Sequence, residues 1–192
     1  MSNLNKTSEE TTISSSTSDV ELIKFRNLVK NIVDSKSSVI FPNRSGKFAA
    51  VVLKSIFENS KETLRISANN MDGTISSCED YAIGIRTALE NNVHVKVLIK
   101  DTINLNSEIR HSKGLKILYE NYKNGKLVEF RTLEGINTIK NFPFFTIGDL
   151  SMIRFEIDNS THEAACCLND SKRATKLADK FDEAFQKATK LN

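Results

Sequence analysis

Three histidines are the side chains of this sequence best suited to nucleophilic or metal chemistry, because imidazole can attack phosphorus, move a proton or bind a metal. They are His94, His111 and His162. His94 lies between two valines in a strand-like run, and His162 lies in a predicted loop. No two histidines have ligand spacing with each other or with a cysteine or carboxylate. We therefore predict no metal site and no cofactor.

The tripeptide His111-Ser112-Lys113 is the one His-x-Lys sequence in the chain. An acidic residue seven positions after the histidine would complete a phosphodiesterase motif, but Leu118 stands there. The segment also has a helical rather than a strand-like pattern. Because a motif counts only in its structural context, we interpret these residues as chance surface residues.

The segment Arg44-Ser45-Gly46-Lys47 superficially suggests a phosphate-binding loop. That motif requires an earlier glycine where Phe41 stands and a serine or threonine where Phe48 stands. We therefore reject a nucleotide-binding loop.

Composition indicates a globular protein of one domain. The chain has 192 residues, of which 39% are hydrophobic and 27% charged, and its net charge of +3 is too small to indicate nucleic acid by itself. No apolar run approaches the roughly 20 residues of a membrane span, and no signal-peptide pattern begins the chain. The three cysteines include the adjacent pair Cys166 and Cys167, so we expect free thiols in the cytoplasm and no membrane partner.

Hydrophobic spacing divides the chain into three segments. Residues 1–18 are rich in serine and threonine and predict a disordered N-terminal tail. Residues 19–41 predict a helix that begins at Asp19, followed by a short connector. Residues 42–192 predict a single domain.

Within that domain, two strand–helix–strand units predict right-handed parallel crossovers over residues 64–99 and 93–133. Gly114 weakens the helix of the second unit by about 1 kcal/mol relative to alanine, so a kink or break is expected there. Alternating apolar residues over 142–168 then predict an antiparallel hairpin and a third strand. A strongly amphipathic helix capped by Asn169 or Asp170 ends the chain. These elements predict an α/β fold with a mixed, mostly parallel sheet flanked by helices.

Over about residues 46–188, this order resembles one catalytic half of the phospholipase D superfamily. The resemblance is carried by residues 66–69 as the first strand, residues 93–100 as the second, and the hairpin of residues 146–156. The closing Leu168-Asn169-Asp170 before a helix is also similar to small degenerate bacterial members.

Active members of that family carry His-x-Lys-x-x-x-x-Asp, in which the histidine attacks phosphorus and the lysine neutralises the phosphate. If Asp149 is the aspartate, Phe142 takes the histidine position and Phe144 the lysine position. The downstream Gly-Ser-x-Asn element is absent as well. The resemblance therefore implies a single-unit member that has lost its catalytic residues.

Several polar residues remain near the site implied by the resemblance: Asn69, Asn70, Asp149, Arg154, Glu156, Asn169 and Asp170. They could line a pocket for a ligand or partner. The favoured interpretation is architectural: Arg154 binds a carboxylate, Asp149 makes a turn, and the last two residues cap the helix.

The resemblance also implies that two half-units pack together, so we expect a homodimer or a complex with a co-encoded protein. Phe142, Phe144 and Phe145 are the predicted interface, because they would replace a wet site by apolar surface. The alternative is that strand alternation buries some of these rings in the core of the monomer.

The function predicted from these observations is a non-catalytic binding or regulatory module. Small bacterial proteins of this kind often accompany an enzyme, including in anti-phage defence, and the many Asn, Lys and Ile residues suit a bacterial source. One alternative is a divergent nuclease or phosphodiesterase that uses His111 or His162. Another is a nucleic-acid-binding module without chemistry, using basic residues of the helices: Arg44, Lys47 and Lys54, or Arg110, Lys113 and Lys116.

Overall fold

The computed structural model describes residues 6–69, 71, 73–100, 102, 105–134, 142–158 and 160–191. In this part of the chain the helices are α1 (Lys6–Asp34), α2 (Gly46–Asn59), α3 (Gly73–Ser76), α4 (Glu79–Glu90), α5 (Leu105–His111), α6 (Lys113–Lys123) and α7 (Ser171–Lys187). The strands are β1 (Phe41–Asn43), β2 (Thr63–Ala68), β3 (His94–Ile99), β4 (Val128–Thr132), β5 (Phe145–Gly148), β6 (Met152–Asp158), β7 (Glu163–Cys167) and β8 (Thr189–Lys190). No helix described here is both long and apolar enough to cross a membrane.

All these strands belong to one mixed sheet with the order β1-β7-β6-β5-β2-β3-β4-β8. The pairs β2–β3 and β3–β4 are parallel, which confirms the two predicted crossover units. Every other described pairing is antiparallel, so the parallel part is smaller than predicted. The reason is that β5, β6 and β7 extend the sheet from the free edge of β2 as consecutive antiparallel strands.

The helix of the second crossover is broken, as expected. It divides at Ser112, whose hydroxyl accepts a hydrogen bond from the backbone N–H of Leu115 at 3.2 Å and caps α6. Gly114 lies in the first turn of α6, where a Cβ atom would stand 2.3 Å from Cδ1 of Tyr81. Glycine is required here because α6 approaches the ring of Tyr81 so closely.

The hairpin between β5 and β6 is attached to the start of β2 by one side chain. Asp149 has a left-handed backbone (φ 49°) at the turn. Its carboxylate accepts hydrogen bonds from the backbone N–H groups of Lys61, Glu62 and Thr63 at 2.9, 2.9 and 3.0 Å. The turn role predicted for Asp149 is therefore extended to a contact between distant parts of the chain.

Two hydrophobic clusters cover the two faces of the sheet. The larger lies between the sheet and helices α1, α2, α4 and α6, and the smaller lies under α7. The smaller cluster contains Phe142 and Phe145, whose exposed fractions are 6% and 1%. The expectation that these two rings form exposed surface is therefore wrong, because both pack in the cluster under α7, as the alternative interpretation held. Of the three predicted interface rings, Phe144 alone is half-exposed.

The N-terminal part of the chain joins the same body. Helix α1 begins at Lys6 instead of Asp19, and its buried Val29 and Ile32 pack in the larger cluster. The predicted boundary after residue 41 falls inside β1, which pairs with β7. Residues 1–5 of the predicted tail lie outside the described residues.

Candidate functional site

A cavity of about 80 Å³ lies at the carboxyl end of β2. Strands β5 and β6 form one wall, and helices α2, α3 and α4 form the other. Apolar side chains supply much of the lining. The main polar side chains around it are Asn69, Tyr81, Thr146, Arg154, Glu156 and His162.

Arg154 is the charged residue at the centre of this polar group, and 3% of it is exposed. Its Nε donates to Oδ1 of Asn43 at 3.0 Å, and its Nη1 donates to Oε2 of Glu156 at 3.0 Å. Its Nη2 donates to the carbonyl oxygen of His162 at 3.0 Å. Every guanidinium nitrogen thus has a protein acceptor, which matches the architectural interpretation of Arg154.

Glu156 connects Arg154 to His162. Arg154 and Glu156 lie on one face of β6 because they are two positions apart. The other carboxylate oxygen of Glu156, Oε1, is 3.6 Å from Nδ1 of His162, which makes an ion pair only when the imidazole is protonated. His162 has a left-handed backbone (φ 58°) in the loop before β7. That conformation lets its carbonyl oxygen and its ring face the same cluster.

Two buried polar atoms at this site have no hydrogen-bond partner among the described residues. They are the hydroxyl oxygen of Tyr81 and Nδ1 of His162. Burial raises the pKa of the Tyr81 hydroxyl, so this group is neutral and can both donate and accept a hydrogen bond. A buried polar group without a partner costs free energy, so the cavity has unused hydrogen-bonding capacity.

The structure separates the predicted site residues into two groups. The cavity brings together Asn69, Arg154 and Glu156. Asp149, Asn169 and Asp170 lie outside its lining. Asp170 caps α7 by accepting a hydrogen bond from the backbone N–H of Arg173 at 2.9 Å, and the Asn169 amide donates to the carbonyl oxygen of Lys36. Asn70 lies outside the described residues.

The other two histidines, His94 and His111, do not belong to the lining of this cavity. His111 is exposed on α5, where its Nδ1 is 2.8 Å from the carbonyl oxygen of Ser107. Lys113 pairs with the exposed Glu79 at 2.8 Å. His94 is exposed at the start of β3. Within the described ranges, no three His, Cys, Asp or Glu side chains are grouped closely enough to hold a metal ion.

The thiol of Cys166 contacts the cluster around Arg154. Cys166 is buried and its pKa is raised by burial to about 12, so it is not a thiolate at neutral pH. Its Sγ is 3.5 Å from Oδ1 of Asn43, the same atom that accepts from Arg154.

Sequence reasoning missed Asn43 and Tyr81 as members of the site, and it named His162 only as a nucleophile of the enzymatic alternative. Asn43 is 1% exposed and its partner Arg154 lies 111 positions away, so no local pattern connects them. Tyr81 is a buried residue of α4, and the helical pattern of apolar residues does not show where its hydroxyl points. The sequence signal for His162 was its position in a loop next to Glu163, which is the first residue of β7.

Comparison with known proteins gives similarity in structure without similarity in sequence. No protein-family model matches the chain, and no curated protein matches its sequence. A similar solved structure is TrmBL2, an archaeal chromatin protein described as showing a novel mode of DNA binding, with a TM-score of 0.61 and 20% identity. The match covers 95% of this chain but 65% of the TrmBL2 chain, so this chain spans less than two thirds of that protein.

Two bacterial proteins match over nearly their whole length. Nuc from Salmonella typhimurium, a phospholipase D family member, has a TM-score of 0.54 and 16% identity, with 80% of this chain and 98% of Nuc covered. NucT from Helicobacter pylori has a TM-score of 0.52 and 10% identity, with 80% of this chain and 100% of NucT covered. At such identities the matches bear on the fold alone. Together with the sheet order and the two parallel crossovers, they show that this chain has a phospholipase D-like fold.

Proposed function

We propose that this chain is a non-catalytic phospholipase D-like module that acts by binding, either to a second copy of itself or to a partner protein. The observation that carries the proposal is the fate of the two motif positions. Phe142, at the position of the nucleophile, is buried under α7, and the ammonium group of Lys180 lies 5.7 Å from the centre of its ring. Phe144 occupies the position of the phosphate-binding lysine. Neither side chain can attack or bind a phosphodiester.

The polar residues nearby support the same conclusion. Arg154, the cation of this cluster, donates three of its five N–H groups to protein acceptors, and its charge is paired with Glu156 at 3.0 Å. A phosphate beside the guanidinium would meet the carboxylate of Glu156, and displacing that carboxylate would leave a largely buried charge unpaired. The cluster therefore holds the structure together instead of presenting charge to a substrate.

A divergent phosphodiesterase is the second candidate, because His162 lines the cavity beside Glu156. In this alternative the imidazole attacks phosphorus and the carboxylate orients it. The same cluster would need a positive group for the phosphate, and the one in the cavity lining is Arg154, whose charge is paired with Glu156.

Hydrolysis assays separate the two candidates. The pure protein is incubated with single- and double-stranded DNA, RNA and a chromogenic phosphodiester. We expect no turnover. Turnover that disappears in His162→Ala but persists in His111→Ala would replace the binding proposal by the enzymatic one, since the exposed His111 serves as the matched control.

Nucleic-acid binding without chemistry rests on the similarity to TrmBL2, which is a similarity of fold. Association with a partner is tested by sedimentation at micromolar concentration, with and without a co-encoded protein. Phe144→Ser changes the one half-exposed ring of the predicted interface, so it should weaken an association that uses this surface. A strict monomer that captures neither partner nor nucleic acid would contradict the proposed role.

A further inference from the structure

Two residues that line one cavity carry buried polar atoms without a hydrogen-bond partner among the described residues, and together they indicate a ligand. Tyr81 is 3% exposed, and both its hydroxyl oxygen and Nδ1 of His162 lack a partner among the described residues. Both side chains belong to the lining of the cavity at the carboxyl end of β2. We propose that this cavity binds a small neutral molecule that carries hydroxyl or amide groups. This inference goes beyond the proposed function. It rests on that proposal in one respect, which is that the protein binds the ligand without hydrolysing it.

The charges around the cavity disfavour an anion. Arg154 is the cation in the lining, and three of its five N–H groups donate to Asn43, Glu156 and the carbonyl oxygen of His162. Glu156 neutralises it at 3.0 Å. An added anion would meet the carboxylate of Glu156, which already balances the charge of the guanidinium, so a neutral ligand is favoured.

The free polar atoms define what the ligand must offer. Oε1 of Glu156 accepts a hydrogen bond, and Nδ1 of His162 can accept or donate according to its tautomer. These two atoms are 3.6 Å apart, which is too far for a direct hydrogen bond. A ligand hydroxyl or amide beside both atoms can bond to each, and a further polar group can bond to the hydroxyl of Tyr81.

Size and lining limit the ligand to a small head group. A cavity that holds benzene has a volume of about 150 Å³, and this cavity measures about 80 Å³. Ile66, Met71 and Phe145 provide apolar contact for a short carbon frame. A nucleotide or a lipid is therefore too large to enter, although part of a ligand can extend out of the opening.

The Tyr81 side chain is fixed before any ligand arrives. Its ring packs edge-on against Phe57 with 5.1 Å between ring centres, and α6 touches it at Gly114. A group held in place in this way loses little conformational freedom on binding, which favours affinity.

The test uses the full chain with glycerol and acetamide as neutral probes, one for each polar group, and inorganic phosphate as the anion. Calorimetric titration measures affinity, and thermal melting measures the stability of each variant. We expect saturable binding of at least one neutral probe and none of phosphate. Tyr81→Phe should weaken that binding by about fivefold to tenfold, the effect of one lost neutral hydrogen bond. Tyr119→Phe, on α6 and outside the lining, is the matched control and should bind as the wild type does.

The same variant gives a second readout without ligand. Removing a buried hydroxyl that has no partner should leave the melting temperature of unliganded Tyr81→Phe unchanged or higher. Absence of saturable binding of both neutral probes, binding of phosphate instead, or equal affinity in Tyr81→Phe would overturn the proposal. Hydrolysis of phosphodiesters would contradict the non-catalytic role alone, so the two failures are distinguishable.

Discussion

At the scale of single residues, Arg154 shows how one side chain can be both central to a site and unavailable to a substrate. It binds an amide, a carboxylate and a backbone carbonyl, and these come from β1, β6 and the loop before β7. A buried charge is tolerated only when its donors are satisfied. The residue therefore fixes the shape of the cavity, while the neutral groups around it remain free to bind.

Replacement of this charge should be costly. Arg154→Met leaves Glu156 buried without its counter-charge, and we expect a loss of about 3–5 kcal/mol in the free energy of unfolding. Chemical denaturation measures it. Arg86→Met, at an exposed position of α4, is the control and should change stability by less than about 0.5 kcal/mol.

A double variant tests the cause. Adding Glu156→Gln to Arg154→Met removes the unpaired carboxylate, so part of the lost stability should return. If Arg154→Met alone cost less than about 1 kcal/mol, the ion pair would behave as a surface pair. Arg154 would then not fix the shape of the cavity.

At the scale of elements, periodicity predicted most helices and strands because their buried faces are regular. Helix α2, for example, buries Ala49, Val52 and Ile56 at helical spacing. In β6, Arg154 and Glu156 alternate with apolar residues, which places these two polar side chains on one strand face. The short α3 and β8 contain too few residues to show a period.

The contacts between elements could not be predicted in this way. Asn43 and the loop of His162 both contact Arg154, and Tyr81 lines the same cavity as His162. These residues come from distant segments, and nothing in their local sequence indicates the contacts. The buried rings of Phe142 and Phe145 show the same limit, because the position of α7 decides that they are covered.

Gly114 is an element-scale case in which helix propensity and contact oppose one another. Propensity alone predicts that Gly114→Ala stabilises α6 by about 1 kcal/mol. The contact predicts the reverse, because the new Cβ would stand 2.3 Å from the ring of Tyr81 and 2.8 Å from the carbonyl oxygen of Ser76. We expect a loss of about 1–3 kcal/mol, measured by denaturation.

Lys116→Ala, at an exposed position of the same helix, controls for propensity and should change stability by less than about 0.5 kcal/mol. An increase in stability for Gly114→Ala would show that α6 can move away from Tyr81 at little cost.

At the scale of the whole molecule, the contacts of α1 with the hydrophobic core begin well inside that helix. Among the side chains that the structure describes, the first of α1 to pack on the core is Leu22, followed by Phe25 and Val29. Ordering a residue costs about 1–2 kcal/mol, and a serine- and threonine-rich segment offers little apolar burial to offset it.

Deletion of residues 1–18 should therefore leave the melting temperature unchanged within error in a thermal scan. Deletion of residues 1–30 serves as the contrast, because it removes Phe25 and Val29 and should lower the melting temperature clearly. A drop of several degrees with the shorter deletion would show that the first segment docks on the body.

The contact between Asn43 and Arg154 has a thermodynamic consequence. It closes a loop of 111 residues, and Tyr81 and the loop of His162 must be in place before the cavity is complete. A partly folded chain therefore has no such site, and a ligand that enters it binds the native state alone. Mass action then raises the unfolding free energy by RT ln(1 + [L]/Kd), about 2.7 kcal/mol at a hundredfold excess over Kd. The resistance of this protein to heat would thus measure how much of its ligand is present.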